Sequence, residues 1–260
     1  MNKQTVDVLI VGAGPAGLSA ALELKKLGVD DILVVDRDER AGGMPRFCHH
    51  PGFGLKDLRL IKTGPGYAKH YLEQAEKAGI RIFTSTTVTG WVDENTLALT
   101  SPQGITHIQA RTTLLATGCR ERPRAARLIP GSRPSGVYTT GSLQDVVHGY
   151  NLPVGRKAVI VGAELVSFSA ILTLKKAKVK PVLMLTNLPS HQAVGLFRPF
   201  KWFTTNIMAH VPLMTEAKLV KIIGNSRVTA VEVEDKDGDI RTVECDTVVF
   251  SGDWIPDHEL

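Results

Sequence analysis

Residues 6–36, VDVLIVGAGPAGLSAALELKKLGVDDILVVD, decide how this chain folds. The apolar run Val6–Val11 runs straight into Gly12-x-Gly14-x-x-Gly17. Leu18, Ala21, Leu22 and Leu27 then follow at helical spacing, and a second apolar run, Ile32–Val35, ends on Asp36. The order is strand, tight turn, helix, strand, acid. Each part has a physical role in holding a dinucleotide: Gly12 permits the turn, Gly14 lets backbone approach a pyrophosphate, and Gly17 allows helix and strand to pack closely. The helix N-terminus offers unpaired N–H groups and partial positive charge to the phosphates. Asp36, 19 residues after Gly17, stands where a carboxylate accepts hydrogen bonds from a ribose.

The same pattern occurs again at an offset of 150, with Gly162 in the place of Gly12. Each copy continues into an alternating hairpin and a closing strand. The first runs from Thr96 to Ala110 around SPQG and closes in TTLLATG; the second runs from Val228 to Val243 around DKDGD and closes in DTVVFSGD. The Pro-rich segment ERPRAARLIPGSRPSG, 121–136, reads as a connector. The expected class is α/β, with two Rossmann-like dinucleotide-binding lobes, each a three-layer unit of parallel sheet with an antiparallel hairpin insert. The boundaries are a first lobe at 1–122, a connector at 123–154 and a second lobe at 155–260.

The second copy departs from the template. Its glycine positions fall on Gly162, Glu164 and Ser167, in the stretch VIVGAELVSFSA, 159–170. A carboxylate at the second position intrudes where pyrophosphate should approach and repels it. The following strand ends in Thr186-Asn187, without the acid that a ribose needs or the Arg that a 2′-phosphate needs. Gly162, Ala163 and Glu164 are therefore expected to form a poor NAD(P) site. Glu164 also suits a helix N-terminus through the macrodipole, worth roughly 0.3 to 1 kcal/mol.

The bulk numbers bound the alternatives. With 260 residues, 43% hydrophobic and 22% charged, the chain is long enough for one large or two small domains. Its net charge of +5 is spread along the sequence, with no basic run interleaved with aromatics, so nucleic acid is not the expected partner. No run has the roughly 18 to 20 apolar residues of a membrane span, and MNKQTVDVLIVGAG enters a strand at once, so a cytoplasmic protein is expected. Cys48, Cys119 and Cys245 form no C-x-x-C pair, which argues against a zinc knuckle, an adjacent redox disulfide or any other metal centre.

The chain resembles the two-dinucleotide-domain flavoproteins of the pyridine-nucleotide-disulfide oxidoreductase superfamily. The resemblance is carried by GAGPAG at 12–17, Gly42-Gly43, ATG at 116–118 and SGDWIP at 251–256. It implies FAD in the first turn, with Gly12, Gly14, Pro15, Ala16, Gly17, Asp36, Arg37, Gly43, Arg46, Val88, Ala116, Thr117 and Gly118 around it. GGMPRFCHHPGFG (42–54), TGPGYAKHY (63–71), ATGCRERPRAARLIPGSRPSGVYTTGSLQ (116–144) and VGAELVSFSA (161–170) narrow the resemblance. They are similar to the FAD-binding α-type subunits of hydrogen cyanide synthase, opine oxidases and dye-linked amino-acid dehydrogenases. That implies an electron-transferring flavin subunit in a hetero-oligomer, whose partners are an iron–sulfur protein and a substrate-oxidising subunit. It also implies that the chain is an N-terminal piece of a longer protein, its first lobe incomplete.

Cys48, His49 and His50 form the one suggestive polar cluster, and an activated Cys-His pair is weighed there against a structural loop. Cys119 reads as a small packed residue. Arg120, Arg122, Arg124 and Arg127 are weighed as a phosphate site against a solvated connector. Two other functions stay open: an NAD(P)H-dependent reductase of the thioredoxin-reductase type, and a non-catalytic nucleotide-binding subunit.

Overall fold

The computed structural model describes residues 2–192 and 211–260. The chain divides into two compact units, one of residues 1–119 with 256–260, the other of residues 120–255. The connector expected at 123–154 thus lies inside the second unit, and the last five residues return to the first.

In the first unit, β1 (Asn2–Val11) leads through the Gly12 turn to α1 (Pro15–Lys26) and β2 (Ile32–Val35). After β3 (Pro51–Phe53) and β4 (Lys62–Thr63) come α2 (Gly64–Lys77), β5 (Arg81–Phe83), β6 (Thr87–Asp93), β7 (Thr96–Ser101) and β8 (Gly104–Leu115). The sheet order is β5-β2-β1-β8-β7-β6. β1, β2, β5 and β8 run parallel, whereas β6, β7 and β8 pair antiparallel as a meander. One core lies under α1 and α2, where Leu18, Ala21 and Ala75 meet Ile10 and Val34; a second, with Leu9, Leu33, Leu97 and Ile108, lies on the meander side. Burial on both faces explains why β2 is apolar at every position, as parallel strands between two layers are. Full burial of each such Leu or Ile stabilises by roughly 1.5 to 3 kcal/mol.

Pro15 at the start of α1 presets the helical φ, and Lys25 and Lys26 in its last turn complement the dipole. α2 begins after Thr63, whose hydroxyl accepts from the Gly66 amide.

The chain crosses between units as β9 (Cys119–Glu121), which pairs with the returning β18 (Trp254–Pro256). Between them lie β10 (Val137–Thr139), α3 (Thr140–Gln144), β11 (Lys157–Val161), α4 (Leu165–Lys176), β12 (Lys180–Leu185) and β13 (Leu213–Met214). β14 (Lys218–Gly224), β15 (Val228–Glu234), β16 (Ile240–Glu244) and β17 (Thr247–Phe250) complete the second unit. Its parallel sheet has the order β10-β17-β11-β12-β13, and β14-β15-β16 form a separate antiparallel sheet. Leu143, Phe168, Ile171 and Leu174 pack on one side of the parallel sheet; Leu219, Val231, Val233 and Phe250 form the core on the other.

Candidate cofactor site

The site in the first unit is built where β1 turns into α1. Gly12 has φ +111, and a Cβ there would stand 2.3 Å from the Ala116 carbonyl oxygen. A Cβ on Gly17 would stand 1.9 Å from the Gly12 carbonyl oxygen. Both approaches are backbone on backbone, so a side chain must push elements apart. Gly14 is the residue before α1, and its nearest neighbour on the Cβ side is the Gly43 Cα at 3.8 Å. Gly43 in turn has φ +61, and its Cβ would fall 2.9 Å from the Gly14 Cα. Two glycines thus face each other beside a helix start that has no side-chain cap. Such a cradle of bare backbone and helix dipole suits a diphosphate.

Asp36 organises this turn from the far side. Its Oδ2 accepts from the Ala13 amide at 2.6 Å and its Oδ1 from the Asp38 amide at 2.9 Å. The carboxylate therefore ties the second strand to the glycine turn, while each oxygen keeps further lone pairs for a ribose hydroxyl. The backbone around Asp36 is held by Phe83 and Thr86, and the Gly42 amide donates to the Ala13 carbonyl at 2.8 Å. Arg46 pairs with Asp38, donates from Nε to the Gly43 carbonyl at 3.2 Å and stacks on the Phe47 ring at 4.8 Å. Arg46 is thus brought to the Gly43 turn.

Thr117 donates its hydroxyl to the Asp257 carbonyl at 2.6 Å, and the Asp257 amide donates to the Gly118 carbonyl. Arg37 is largely exposed and reaches the Asp257 carboxylate at 3.7 Å. Pro15 and Ala16 open α1. The structure therefore brings together Gly12, Gly14, Gly17, Asp36, Gly43, Arg46 and Ala116. Val88 is placed apart from that turn, in β6 opposite Leu99, where it packs on the meander-side core. The stretch 84–88, expected as a strand, bends through Ser85 at φ +49 before β6 begins at Thr87.

The Cys48 loop is a structural element on its hydrogen bonds. Cys48 Sγ donates to the Met44 carbonyl at 3.5 Å, and the Cys48 carbonyl accepts from the Gly64 amide at 3.0 Å. A Cβ on Gly64 would stand 2.3 Å from the Pro45 carbonyl oxygen, so α2 docks directly on this loop. Asp57 Oδ2 accepts from Tyr67 at 2.7 Å and Tyr71 at 2.6 Å, one helical turn apart. Burial opposes the Asp57 charge, yet the two phenols hold its carboxyl below the ordinary range. Burial and that same carboxylate push both tyrosines up. Neither Gly64 nor this clamp was visible in the sequence.

Two expectations are corrected. Cys119 is exposed rather than packed. Arg124 and Arg127 are neither a phosphate site nor a solvated face, because their guanidinium groups satisfy backbone carbonyls. Arg124 donates to Ile129 at 3.2 Å and Pro130 at 2.9 Å, and also to Ser132. Arg127, its side chain only 14% exposed, donates to Ser251 at 2.8 Å and Gly252 at 3.1 Å and pairs with Asp253. Cys245 is buried, and its thiol is pushed up to about 12, which makes it inert.

The turn in the second unit repeats the frame of the first. Gly162 donates to Leu185 as Gly12 does to Val35, and Ser251 donates to Val161 as Ala116 does to Val11. Thr186 replaces Asp36 and accepts from the Leu188 amide at 3.3 Å. Glu164 precedes α4 with φ −94 and ψ −179, close to the −75 and 179 of Gly14. Ser167 is fully buried, its hydroxyl 3.0 Å from that of Ser251.

A crevice of about 680 Å³ also lies in the first unit, between Gln4, Phe83, Thr86, Ser101 and Thr106. Its lining holds no titratable side chain, and none of the glycine-turn residues contributes to it. Among the described residues no cluster suits a metal ion, and no helix is long and apolar enough to cross a membrane.

Comparison with known proteins agrees with this geometry. The family described as pyridine nucleotide-disulphide oxidoreductase matches residues 6–259. The sarcosine oxidase alpha subunit of Rhizobium meliloti (strain 1021) is 26% identical over 267 residues, covering 96% of this chain and 24% of that protein. An opine oxidase subunit of Agrobacterium tumefaciens (strain Ach5) is 23% identical, covering 98% of this chain and 53% of that protein. This chain thus spans between a quarter and about half of those relatives' lengths. The crystal structure of Lactococcus lactis thioredoxin reductase superposes with a TM-score of 0.75 at 17% identity, covering 96% of this chain and 78% of that one.

Proposed function

The chain belongs to the pyridine nucleotide-disulphide oxidoreductase family, and from that premise we propose that it is the FAD-binding, electron-transferring part of a hetero-oligomeric amine or amino-acid dehydrogenase or oxidase. Family membership supports FAD as the cofactor and oxidoreduction as the chemistry. The observation that carries the reading is the asymmetry of the two turns. The first keeps the bare Gly14–Gly43 cradle and the Asp36 tie; the second places a glutamate where the diphosphate would come.

In this reading Gly12, Gly14, Pro15, Ala16 and Gly17 present the α1 N-terminus to the FAD diphosphate. Asp36 accepts from the adenosine ribose, with Arg37 and Val88 toward the adenine end. Gly43 and Arg46 line the approach to the ring, and Ala116, Thr117 and Gly118 hold the closing strand against it. FAD supplies the two-electron redox chemistry when bound. This chain's residues bind and orient it, and none is required as a proton donor or acceptor. Cys48 and His49 shape the loop rather than act on substrate. The names of the sarcosine and opine oxidase subunits support an assembly with an iron–sulfur protein and a substrate-oxidising subunit.

The experiment is anaerobic mixing of the FAD-loaded protein with its amine-oxidising partner and that partner's substrate. The flavin absorbance is expected to bleach only when the partner is present. Failure of the full-length protein to take up FAD would sink the reading. Prompt bleaching by NADH or NADPH alone would support a second reading, a pyridine-nucleotide-driven reductase, which the likeness to thioredoxin reductase favours.

A further inference from the structure

The family implies a pyridine nucleotide at the second turn, and the residues there do not fit one. The backbone frame is kept, since Gly162 has φ +126 and Glu164 holds the extended conformation of Gly14. What has changed is the occupant. Glu164 turns its carboxylate inward, along the turn, toward Gly252 at the end of the closing strand. A Cβ on Gly252 would lie 2.1 Å from Glu164 Oε1 and 2.5 Å from its Cδ, and one on Gly162 would lie 3.0 Å from that same oxygen. Glu164 Oε1 is buried and has no hydrogen-bond partner among the described residues.

A second carboxylate backs the first. Glu121, 6% exposed, accepts from the Gly252 amide at 3.3 Å through Oε1 and from the Gly141 amide at 2.7 Å through Oε2. The Arg127 guanidinium sits on the opposite side of the same strand end, bonded to the Ser251 and Gly252 carbonyls and paired with Asp253. Glu164, Glu121 and Asp253 all act electrostatically on Arg127. This cation is thus already engaged by backbone carbonyls and three acids. A diphosphate entering here meets a filled volume and two carboxylates, and Arg127 is too committed to offset the repulsion.

We infer that the Glu164 carboxylate is the built-in occupant of the second unit's diphosphate seat and is the residue that excludes pyridine dinucleotides from it. The inference deepens the reading of this chain as a flavin subunit whose electrons do not come from NAD(P)H, and it rests on that reading. It assigns to one side chain a specificity role that the family motif leaves to glycine. The position tolerates the reverse change, because glycine is a favoured residue before a helix and the backbone at 164 is in an ordinary extended region.

The test is calorimetric titration of the protein, saturated with FAD so that the first turn is filled, with ADP and with NADH. Wild type, Glu164→Gly and Glu164→Gln are compared. Wild type should bind neither ligand. Glu164→Gly should gain a site for ADP, with affinity at least about tenfold above any wild-type binding, a difference well within what one removed like charge and its volume supply. Glu164→Gln, which keeps the volume and removes the charge, should gain less. Tight wild-type binding of NADH or ADP overturns the inference, as does a folded Glu164→Gly that gains nothing. If Glu164→Gly does not fold, a Glu164→Gln protein with no gain over wild type overturns it too. The two claims fail separately: a flavin that its partner cannot reduce, in a chain that still excludes NADH, counts against the flavin-subunit reading alone.

Discussion

The turns at Gly12 and Gly162 share a hydrogen-bond frame and differ in what fills it. In both, the first glycine donates to the end of the second strand, and the residue after the closing strand donates back to the first strand. The Gly42 amide donates to Ala13 in one, and the Gln192 amide donates to Ala163 in the other, again 150 residues apart. The difference lies in the side chains at the second and third glycine positions and at the acid. A backbone frame survives such changes because main-chain bonds do not depend on side-chain identity, whereas a ligand seat does.

The largest effect should come from exchanging the third position. Gly17→Ser places a Cβ about where the Gly12 carbonyl oxygen already stands, 1.9 Å from it. We expect a loss of roughly 3 kcal/mol or more in thermal or denaturant unfolding, as overpacking against unyielding backbone gives, together with loss of FAD. The reciprocal Ser167→Gly removes a bond to Ser251 and should cost only about 1 kcal/mol. Equal costs for the two would show that α1 and α4 sit alike on their strands.

Next comes the acid. Asp36→Thr imports the residue found at 186 and forfeits the bond from the Ala13 amide. FAD affinity, followed by fluorescence quenching, should fall about tenfold, the scale of one charge-assisted hydrogen bond. An unchanged affinity would mean that Asp36 serves the turn and not the cofactor.

The smallest effect concerns Glu121. Burial, reinforced by Glu164, pushes its carboxyl above the ordinary range, against the bonds from Gly141, Thr140 and Gly252. A raised folded value means that the folded state holds the proton more tightly than the unfolded one. Its stabilising contribution is therefore complete below the ordinary carboxylate value and is lost as pH rises through the raised one. Glu121→Gln should flatten that alkaline-side decline in melting temperature; an identical pH profile would show that the carboxylate is not strained by burial.

Much of the fold was legible because its signals are local. Gly12, Gly14 and Gly17 are required by backbone approach within one turn, and the repeat at 162 follows from the same spacing. The rest depends on partners distant in sequence. Arg127 reads as a connector arginine until the Ser251 carbonyl, 124 residues on, comes to meet it. Tyr67 and Tyr71 meet Asp57 across an irregular loop that carries no periodicity. The direction of the Glu164 side chain was not legible either, since an acid before a helix suits both a solvent-facing cap and an inward one.

The central claim is that the first turn holds the working cofactor and the second is closed by its own glutamate. Counting nucleotides tests it directly: the full-length protein, purified with FAD supplied, is acid-denatured and the released nucleotides are separated and quantified. The account predicts one FAD per chain and no NAD(H) or NADP(H). A stoichiometric pyridine nucleotide, or no FAD, would contradict it.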